Sequence, residues 1–332
     1  MKSFELKQVQ KVYSDGLHNA FTGMAFFKGS CYLAFRNGKG HSGDAARQII
    51  MKSTNGTDWL PLSKKTMPDP KDGDYYDYRD SYFLVDGDRL LIYSAASLFK
   101  DGKRLRFDSQ VQTTTDGISW TDPEITLKNV WLWKPIKAAG KYYGGGYYYD
   151  DNKFLNVNLM SSDDGIAWKD VSRISCGGES HMYPLSSERI RVLVRTERKP
   201  YHLEVYESTL PFLKWEKVRT IPQIIQGPHV FRMKGKTFLA GRERPDYLET
   251  ADPQKPSYSL HRTKIWEIME DASIQEVIEL PSSGDNAYPG TAVLPDDTLL
   301  MSYYSQHDTG KSGTWSAKMP ADIFVASLKP CF

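Results

Sequence analysis

Ser53-Thr54-Asn55-Gly56-Thr57-Asp58-Trp59, Thr114-Thr115-Asp116-Gly117-Ile118-Ser119-Trp120 and Ser162-Asp163-Asp164-Gly165-Ile166-Ala167-Trp168 are three copies of one phrase, Ser/Thr-x-Asn/Asp-Gly-x-x-Trp. Each copy is a turn with a mechanism. An Asn or Asp side chain hydrogen-bonds its own backbone two residues on, and Gly supplies the positive φ of a tight hairpin. The hydroxyl ties the turn down, and the Trp is placed to pack on a neighbouring sheet. Apolar runs such as 48–52 and 108–112 lead into these turns. A worn copy without the Asp-Gly pair runs over 208–215, and Trp266 follows at a similar spacing. Recurrence every roughly 45–60 residues, with about four short strands per unit, is the pattern of a β-propeller.

Working outward from the turns gives six units. Their first strands are expected near 20–27, 79–85, 131–137, 180–185, 228–233 and 287–294. Second strands follow at 32–35, 90–93, 142–149, 191–195, 237–241 and 299–304. The last unit has room for three strands, ending at 323–328, and the run 5–13 supplies the fourth. Closing the ring with both chain ends removes an open sheet edge. The expectation is an all-β, six-bladed β-propeller with four-stranded antiparallel blades, one domain over 1–332. Its longest polar insertions fall at 67–77 and 245–257.

Composition agrees with strands and excludes several classes. The chain has 8 Trp, 20 Tyr and 14 Phe, 13% aromatic in all, and aromatic enrichment favours sheets. Lys and Arg number 43 against 41 Asp and Glu, a net charge of +2, so no basic nucleic-acid surface is expected. No run approaches ~18 apolar residues, so no membrane insertion is expected. Cys31, Cys176 and Cys331 are too few and too scattered for a disulfide framework or a cysteine zinc site. The opening MKSFELKQVQ lacks the apolar core of a signal peptide. A cytoplasmic location is therefore expected, or secretion if an export signal has been trimmed.

In a propeller blade, the start of the first strand and the end of the second lie on one rim of the central channel. Collecting those positions gives Arg36, His41 and Asp44 from the first blade, then Arg79 and Asp80. Trp131, Trp133 and the tyrosines at 147–149 come from the third. Glu179, His181 and Arg195 come from the fourth, His229 and Arg242 from the fifth, and Tyr288 and His307 from the sixth. Arginine is the side chain suited to gripping a planar carboxylate through two parallel hydrogen bonds. Several converging on one funnel point to an anionic ligand, and Trp131 and Trp133 are placed to stack on sugar faces. No H-x-x-x-H or H-E-x-x-H spacing is present, so neither metal nor cofactor is expected. His181, His229 and His307 are read as lining the pocket, with a metal held by the three together as the alternative.

The turn phrase resembles the Asp-box, or BNR repeat, of the sialidase superfamily of six-bladed propellers, and the resemblance covers nearly the whole chain. It implies that Glu179, opening blade four, assists a nucleophile, and that Arg195, ending the next strand, holds a substrate carboxylate. Tyr288 takes the nucleophile's place in Ala287-Tyr288-Pro289-Gly290, although Pro289 is not the usual neighbour. Asp44 takes the acid/base position, with His41 or Asp80 as other candidates, and Arg242 that of a second clamp arginine. The family's first arginine sits in Phe/Tyr-Arg-Ile-Pro, where this chain has Ala20-Phe21-Thr22-Gly23. A third arginine would have to come from Arg79 or Arg36. The acidic sugar implied is sialic acid or a related ulosonic or uronic acid.

Three functions fit these residues. An exo-acting glycoside hydrolase of sialidase type uses Tyr, Glu and Asp. A polysaccharide lyase would use Arg to neutralise a uronate while Tyr or His takes a proton from carbon. A non-catalytic propeller would bind a glycan or a protein partner, because the turns themselves lie away from the funnel.

Overall fold

The computed structural model describes residues 3–62, 66–67, 73–244, 261–309 and 319–332. The expected insertion at 245–257 lies outside these residues, as does part of that at 67–77. The described residues hold 24 strands and no helix. β1 (Phe4–Tyr13) precedes blade one, which is β2 (His18–Phe27), β3 (Ser30–Gly38), β4 (Arg47–Ser53) and β5 (Leu60–Leu62). Blade two is β6 (Tyr75–Asp86), β7 (Arg89–Lys100), β8 (Lys103–Thr114) and β9 (Glu124–Leu127). Blade three is β10 (Trp131–Ala138), β11 (Lys141–Tyr149), β12 (Leu155–Ser162) and β13 (Trp168–Cys176). Blade four is β14 (Ser180–Pro184), β15 (Arg189–Arg195), β16 (Leu203–Thr209) and β17 (Glu216–Ile221). Blade five is β18 (Ile225–Met233), β19 (Lys236–Glu243), β20 (Arg262–Ile268) and β21 (Ile274–Leu280). Blade six contributes β22 (Asn286–Val293), β23 (Leu299–Ser305) and β24 (Asp322–Pro330). All six sheets are four-stranded and antiparallel. Each innermost strand touches that of the next blade, from β2 through β6, β10, β14, β18 and β22 back to β2. This is a closed six-bladed propeller.

The turns form as their residues dictate. Ser53 Oγ accepts the Gly56 N–H at 2.9 Å, while Asn55 Oδ1 accepts those of Thr57 and Asp58 at 2.9 and 2.8 Å. Thr114 and Asp116 repeat the pattern around Gly117, and Ser162 and Asp164 around Gly165. The three glycines have φ of +78, +71 and +79°, and each turn joins the third and fourth strands of its blade. The fourth copy keeps Trp215 but turns through Phe212 at φ +62°. Trp266 departs from the series: it lies within β20, 2% exposed, in the apolar layer between blades four and five.

The chain ends meet where the repeat requires. β1 pairs antiparallel with β24 from Phe4↔Pro330 to Tyr13↔Ile323. Phe4 is 1% exposed and packs 4.9 Å from the Phe238 ring of blade five. Phe4→Ala is expected to cost about 3–5 kcal/mol in denaturant unfolding. Removing residues 1–13 would bare the β24 edge and abolish cooperative melting. Unchanged melting of the truncated protein would contradict closure through β1.

Candidate active site

A repeated backbone irregularity aims side chains at the channel axis. Five innermost strands carry a β-bulge at the same depth, between Ala20 and Gly23, Arg79 and Tyr82, Trp133 and Ile136, Gln226 and His229, and Ala287 and Gly290. A residue with positive φ sits in each: Phe21 (58°), Asp80 (48°), Lys134 (36°), Gly227 (64°) and Tyr288 (47°). Four of these are not glycine. Side chains held in this sparsely populated region cluster at functional sites, and a bulge re-aims a side chain out of the alternating pleat. Blade four needs no bulge, because Glu179 stands just before β14 begins. The neighbours after these six positions are Thr22, Ser81, Pro135, Ser180, Pro228 and Pro289.

Tyr288 and Glu179 meet at the axis. The Tyr288 hydroxyl donates to Glu179 Oε1 at 2.6 Å, while Glu179 Oε2 accepts from the Gly227 N–H at 2.7 Å and faces Arg195 Nη1 at 2.8 Å. Arg195 Nη1 also reaches the Tyr288 oxygen at 3.4 Å. Burial opposes the charge on Glu179. The Arg195 guanidinium, the Tyr288 hydroxyl and the Gly227 N–H outweigh it and hold the carboxyl below the usual glutamate range. Burial and then the facing Glu179 carboxylate push the Tyr288 phenol far above the ordinary tyrosine value. The pair is thus a neutral phenol hydrogen-bonded to a ready base. Gly227 has no side chain because none fits: a Cβ there would lie 2.9 Å from the Tyr288 ring.

The arginines divide into three jobs. Arg195 gives Nε and Nη2 to Glu197 at 3.0 and 3.3 Å, so its donors are taken within the protein. Arg242 holds Asp285 Oδ1 at 2.5 Å through Nη1 and Gln226 at 3.0 Å through Nε, and its plane lies over the Tyr288 ring, 5.3 Å from the centroid. Its Nη2 makes no hydrogen bond among the described residues. Arg79 lies 4.3 Å over the Phe21 ring and 5.5 Å over Trp131, and its buried Nε has no hydrogen-bond partner. Arg36 is instead a brace, 1% exposed, bound to Asp77 at 2.8 Å and to Asp44 and the Gly40 carbonyl.

Glu179, Arg79, Trp131, Tyr147 and Glu197 line a cavity of about 200 Å³. Trp131 stacks on Tyr147 at 5.5 Å and 15°. Leu155 and Glu197 are shared with an adjoining cavity of about 410 Å³ that runs outward past Phe154, Arg198 and His202. Trp133 stands behind Tyr288, edge to face at 6.1 Å, and is 2% exposed. His181 and His229 are packed against one another under the funnel. His181 Nδ1 accepts the Val230 N–H at 2.7 Å, and His229 Nε2 meets Thr291 Oγ1 at 2.8 Å. Burial keeps both neutral, well below the usual histidine value. His307 packs against Phe324 and Ser305. These three histidines are not brought together with Tyr288.

Two functional-looking residues, Lys134 and Asp285, escape local reading, whereas Asp80 is among the rim positions the sequence already offers. Lys134 is buried, its ammonium donating to the Pro289 carbonyl at 3.1 Å. Burial lowers its pKa to about 7 against the pull of Glu179 and Asp80. Asp80, raised to about 7 by burial against the pull of Arg79, faces a void of about 10 Å³ beneath Tyr288. Asp285, three residues before Tyr288, is fully buried and meets His41 Nδ1 at 2.5 Å, His18 Nε2 at 3.1 Å and the Tyr304 hydroxyl at 2.8 Å. Ligand-type atoms of His18, His41 and Asp285 lie within 4.8 Å of one another. The Arg242 guanidinium on the same carboxylate supplies its countercharge, which marks a hydrogen-bonded cluster rather than a cation site. An acidic residue so close before Tyr288 was the one sequence signal available for Asp285.

In sequence, no family profile and no curated protein matches the chain. In structure, the fold is similar to that of Trypanosoma rangeli sialidase in complex with 2,3-difluorosialic acid, a covalent intermediate. The TM-score is 0.67 at 12% identity, covering 98% of this chain and 57% of that one. Phage phi92 endosialidase matches at TM-score 0.70 and 11% identity over 100% of this chain and 70% of that one. Sucrose-6-phosphate hydrolase from Lactobacillus gasseri matches at 0.56 and 14% over 96% and 61%. The chain therefore spans little more than half of the trypanosome enzyme. The likeness is one of fold, shared with sialidases and with a sucrose-6-phosphate hydrolase alike.

Proposed function

We propose that this chain is an exo-acting glycoside hydrolase that removes a terminal acidic sugar, sialic acid or a related ulosonic or uronic acid. One observation carries the reading: a neutral tyrosine hydroxyl bonded at 2.6 Å to a buried, ionised glutamate on the axis of an arginine-walled funnel. A sugar whose anomeric carbon bears a carboxylate repels an anionic nucleophile. Sialidases are the recognised tyrosine-nucleophile exception among glycosidases. A phenol deprotonated by Glu179 only as it attacks avoids that repulsion, and Arg195, 3.4 Å from the phenol oxygen, steadies the charge that forms. Arg242 and Arg79 have N–H groups to spare for the substrate carboxylate, whereas Arg195 is occupied with Glu179 and Glu197. Trp131 gives the cavity an aromatic wall beside Arg79, and the outward cavity past Phe154 accommodates the rest of the glycan.

The reading is tested by incubating purified protein with 4-methylumbelliferyl glycosides of acidic sugars and identifying the products. Hydrolysis gives a saturated sugar, whereas a lyase leaves an unsaturated, ultraviolet-absorbing one. Gly227→Ala gives a narrower check on Tyr288. The added methyl would push the ring away from Glu179 while the fold is kept. A loss of about 10²-fold in kcat/KM is expected, since misplacement by about 1 Å costs that much. Near-normal turnover would show that the Tyr288–Glu179 contact is not the reacting pair.

A further inference from the structure

We propose that the outward cavity of about 410 Å³ is a second sugar subsite that takes an anionic sugar, so that the bond cleaved joins two acidic sugars. This rests on the glycosidase reading above and names the leaving group it acts on. The cavity lies between corresponding loops of two blades, 150–154 of blade three and 196–202 of blade four. Each joins the second strand of its blade to the third, at the rim where the funnel opens. Both loops are tied at the base. In the first, the Asp150 N–H donates to the Phe154 carbonyl at 2.9 Å, and Asp150 Oδ1 accepts the Phe154 N–H at 2.9 Å. In the second, the Thr196 N–H donates to the His202 carbonyl at 3.0 Å, and Thr196 Oγ1 accepts the His202 N–H at 2.9 Å. The Tyr201 N–H closes onto the Arg198 carbonyl at 2.8 Å, which puts Arg198 and Lys199 at the loop tip.

The charges on its wall do not cancel. Glu197 takes the Arg195 guanidinium at 3.0 Å, and Glu204 takes the Tyr206 hydroxyl at 2.5 Å and the Lys217 ammonium at 3.2 Å. Both carboxylates are therefore committed within the protein. Lys153, Arg198 and Lys199 line the same cavity, and their exposed side chains make no hydrogen bond or ion pair among the described residues. Arg198 lies over the Phe154 ring, 4.3 Å from its centroid, and that ring is 50% exposed. A guanidinium over a ring is attracted without using its N–H groups, so Arg198 is held in place with its fork still to offer. That fork matches a carboxylate through two parallel hydrogen bonds, while the lysines add point charges. Position decides what arrives there. The cavity shares Leu155 and Glu197 with the one that Glu179 and Arg79 line, so a glycan leading outward from Tyr288 enters it. Its volume falls among pockets that enclose small ligands, about 300–1,000 Å³. By contrast, in a cavity of about 710 Å³ between blades four and five, Arg189, Arg191, Arg232 and Lys236 are each bonded to a carboxylate or carbonyl of the protein.

The sugar held there is the leaving group. The bond from the anomeric carbon of the first sugar to an oxygen of the second breaks. One water is consumed overall: its hydroxyl ends on the anomeric carbon and its proton on the departing oxygen. Two neighbouring acidic sugars carry two like charges, and the protein meets them separately. Arg79 and Arg242 face the first carboxylate in the funnel, and Arg198 with the two lysines faces the second at the rim.

The experiment compares a disaccharide of two acidic sugars with the same first sugar joined to galactose, at low and at high salt. Wild type is expected to favour the acidic disaccharide about 10- to 100-fold in kcat/KM at low salt, the reach of one hydrogen-bonded charge. The preference should shrink at high salt, because the cations are exposed and screened. Arg198→Ala should bring it to within about threefold, the loss falling on the KM of the acidic disaccharide and not on kcat. Arg198→Lys should recover only part of it, since an ammonium keeps the charge and loses the fork. Replacing Lys153 and Lys199 together by Ser should weaken both the preference and its salt dependence. A melting control on each variant excludes unfolding. Equal turnover of the two substrates by wild type, or a preference that Arg198→Ala leaves intact, overturns the assignment. Failure of the wild-type protein to hydrolyse any acidic glycoside sinks the glycosidase reading and this one with it, whereas release from a 4-methylumbelliferyl acidic glycoside without the disaccharide preference sinks this one alone.

Discussion

Tyr288→Phe is expected to lower kcat at least about 10³-fold while leaving the fold and ligand binding nearly intact. Only the attacking oxygen is removed. The phenyl ring keeps its edge-to-face contacts with Phe21 at 5.0 Å and Trp133 at 6.1 Å. Glu179 keeps Arg195 and the Gly227 N–H as partners, so no buried carboxylate is stranded. Melting should therefore barely move, and KM should change little beside kcat. The measurement is steady-state hydrolysis of an acidic-sugar glycoside with a melting control. Turnover within about tenfold of wild type would remove Tyr288 from the chemistry.

The second large effect concerns the clamp. Arg79→Ala and Arg242→Lys should each cost about 2–5 kcal/mol of transition-state binding, roughly 30- to several-thousand-fold in kcat/KM. Arg242 is buried against Asp285, and an ammonium keeps that charge pair while losing the fork that matches a carboxylate. Arg79, held over Phe21 and Trp131, can be truncated with less risk to the fold. The specific sign is a loss of discrimination. Wild type should favour a carboxylate substrate strongly over its carboxamide, and the variants should not. Equal loss on both substrates would mean that these arginines brace the funnel and do not read the carboxylate.

Much of the fold was legible because its signals are local. An Asn/Asp-Gly pair with a hydroxyl before it and a Trp after it folds into the same turn wherever it occurs, and three such turns set the period for the other blades. The β1–β24 pairing followed from counting strands. Trp266 misled because spacing alone placed it at a turn, while its blade turns instead through Asp271 and Ser273. The site was legible only in part. Tyr288 and Glu179 are 109 positions apart, and rim geometry placed them together. Lys134, between Trp133 and Pro135, reads as an interruption of an apolar strand. Its partners come from other blades, and no neighbour in sequence announces a buried amine. The roles of Asp44 and Arg36 turn on which carboxylate each guanidinium takes, which only the folded loop decides. The residue that opens each bulge is aligned by the Ser, Thr or Pro that follows it, a pattern visible only once six blades are laid side by side.

The most direct test of an acidic-sugar hydrolase built on Tyr288 is a fluorescence assay of the purified protein across 4-methylumbelliferyl glycosides of sialic acid, other ulosonic acids, glucuronic acid, glucose and galactose. Release is expected from at least one acidic glycoside and from neither neutral one. Release from the neutral glycosides alone, or from none of the panel by a protein that melts cooperatively, would contradict it.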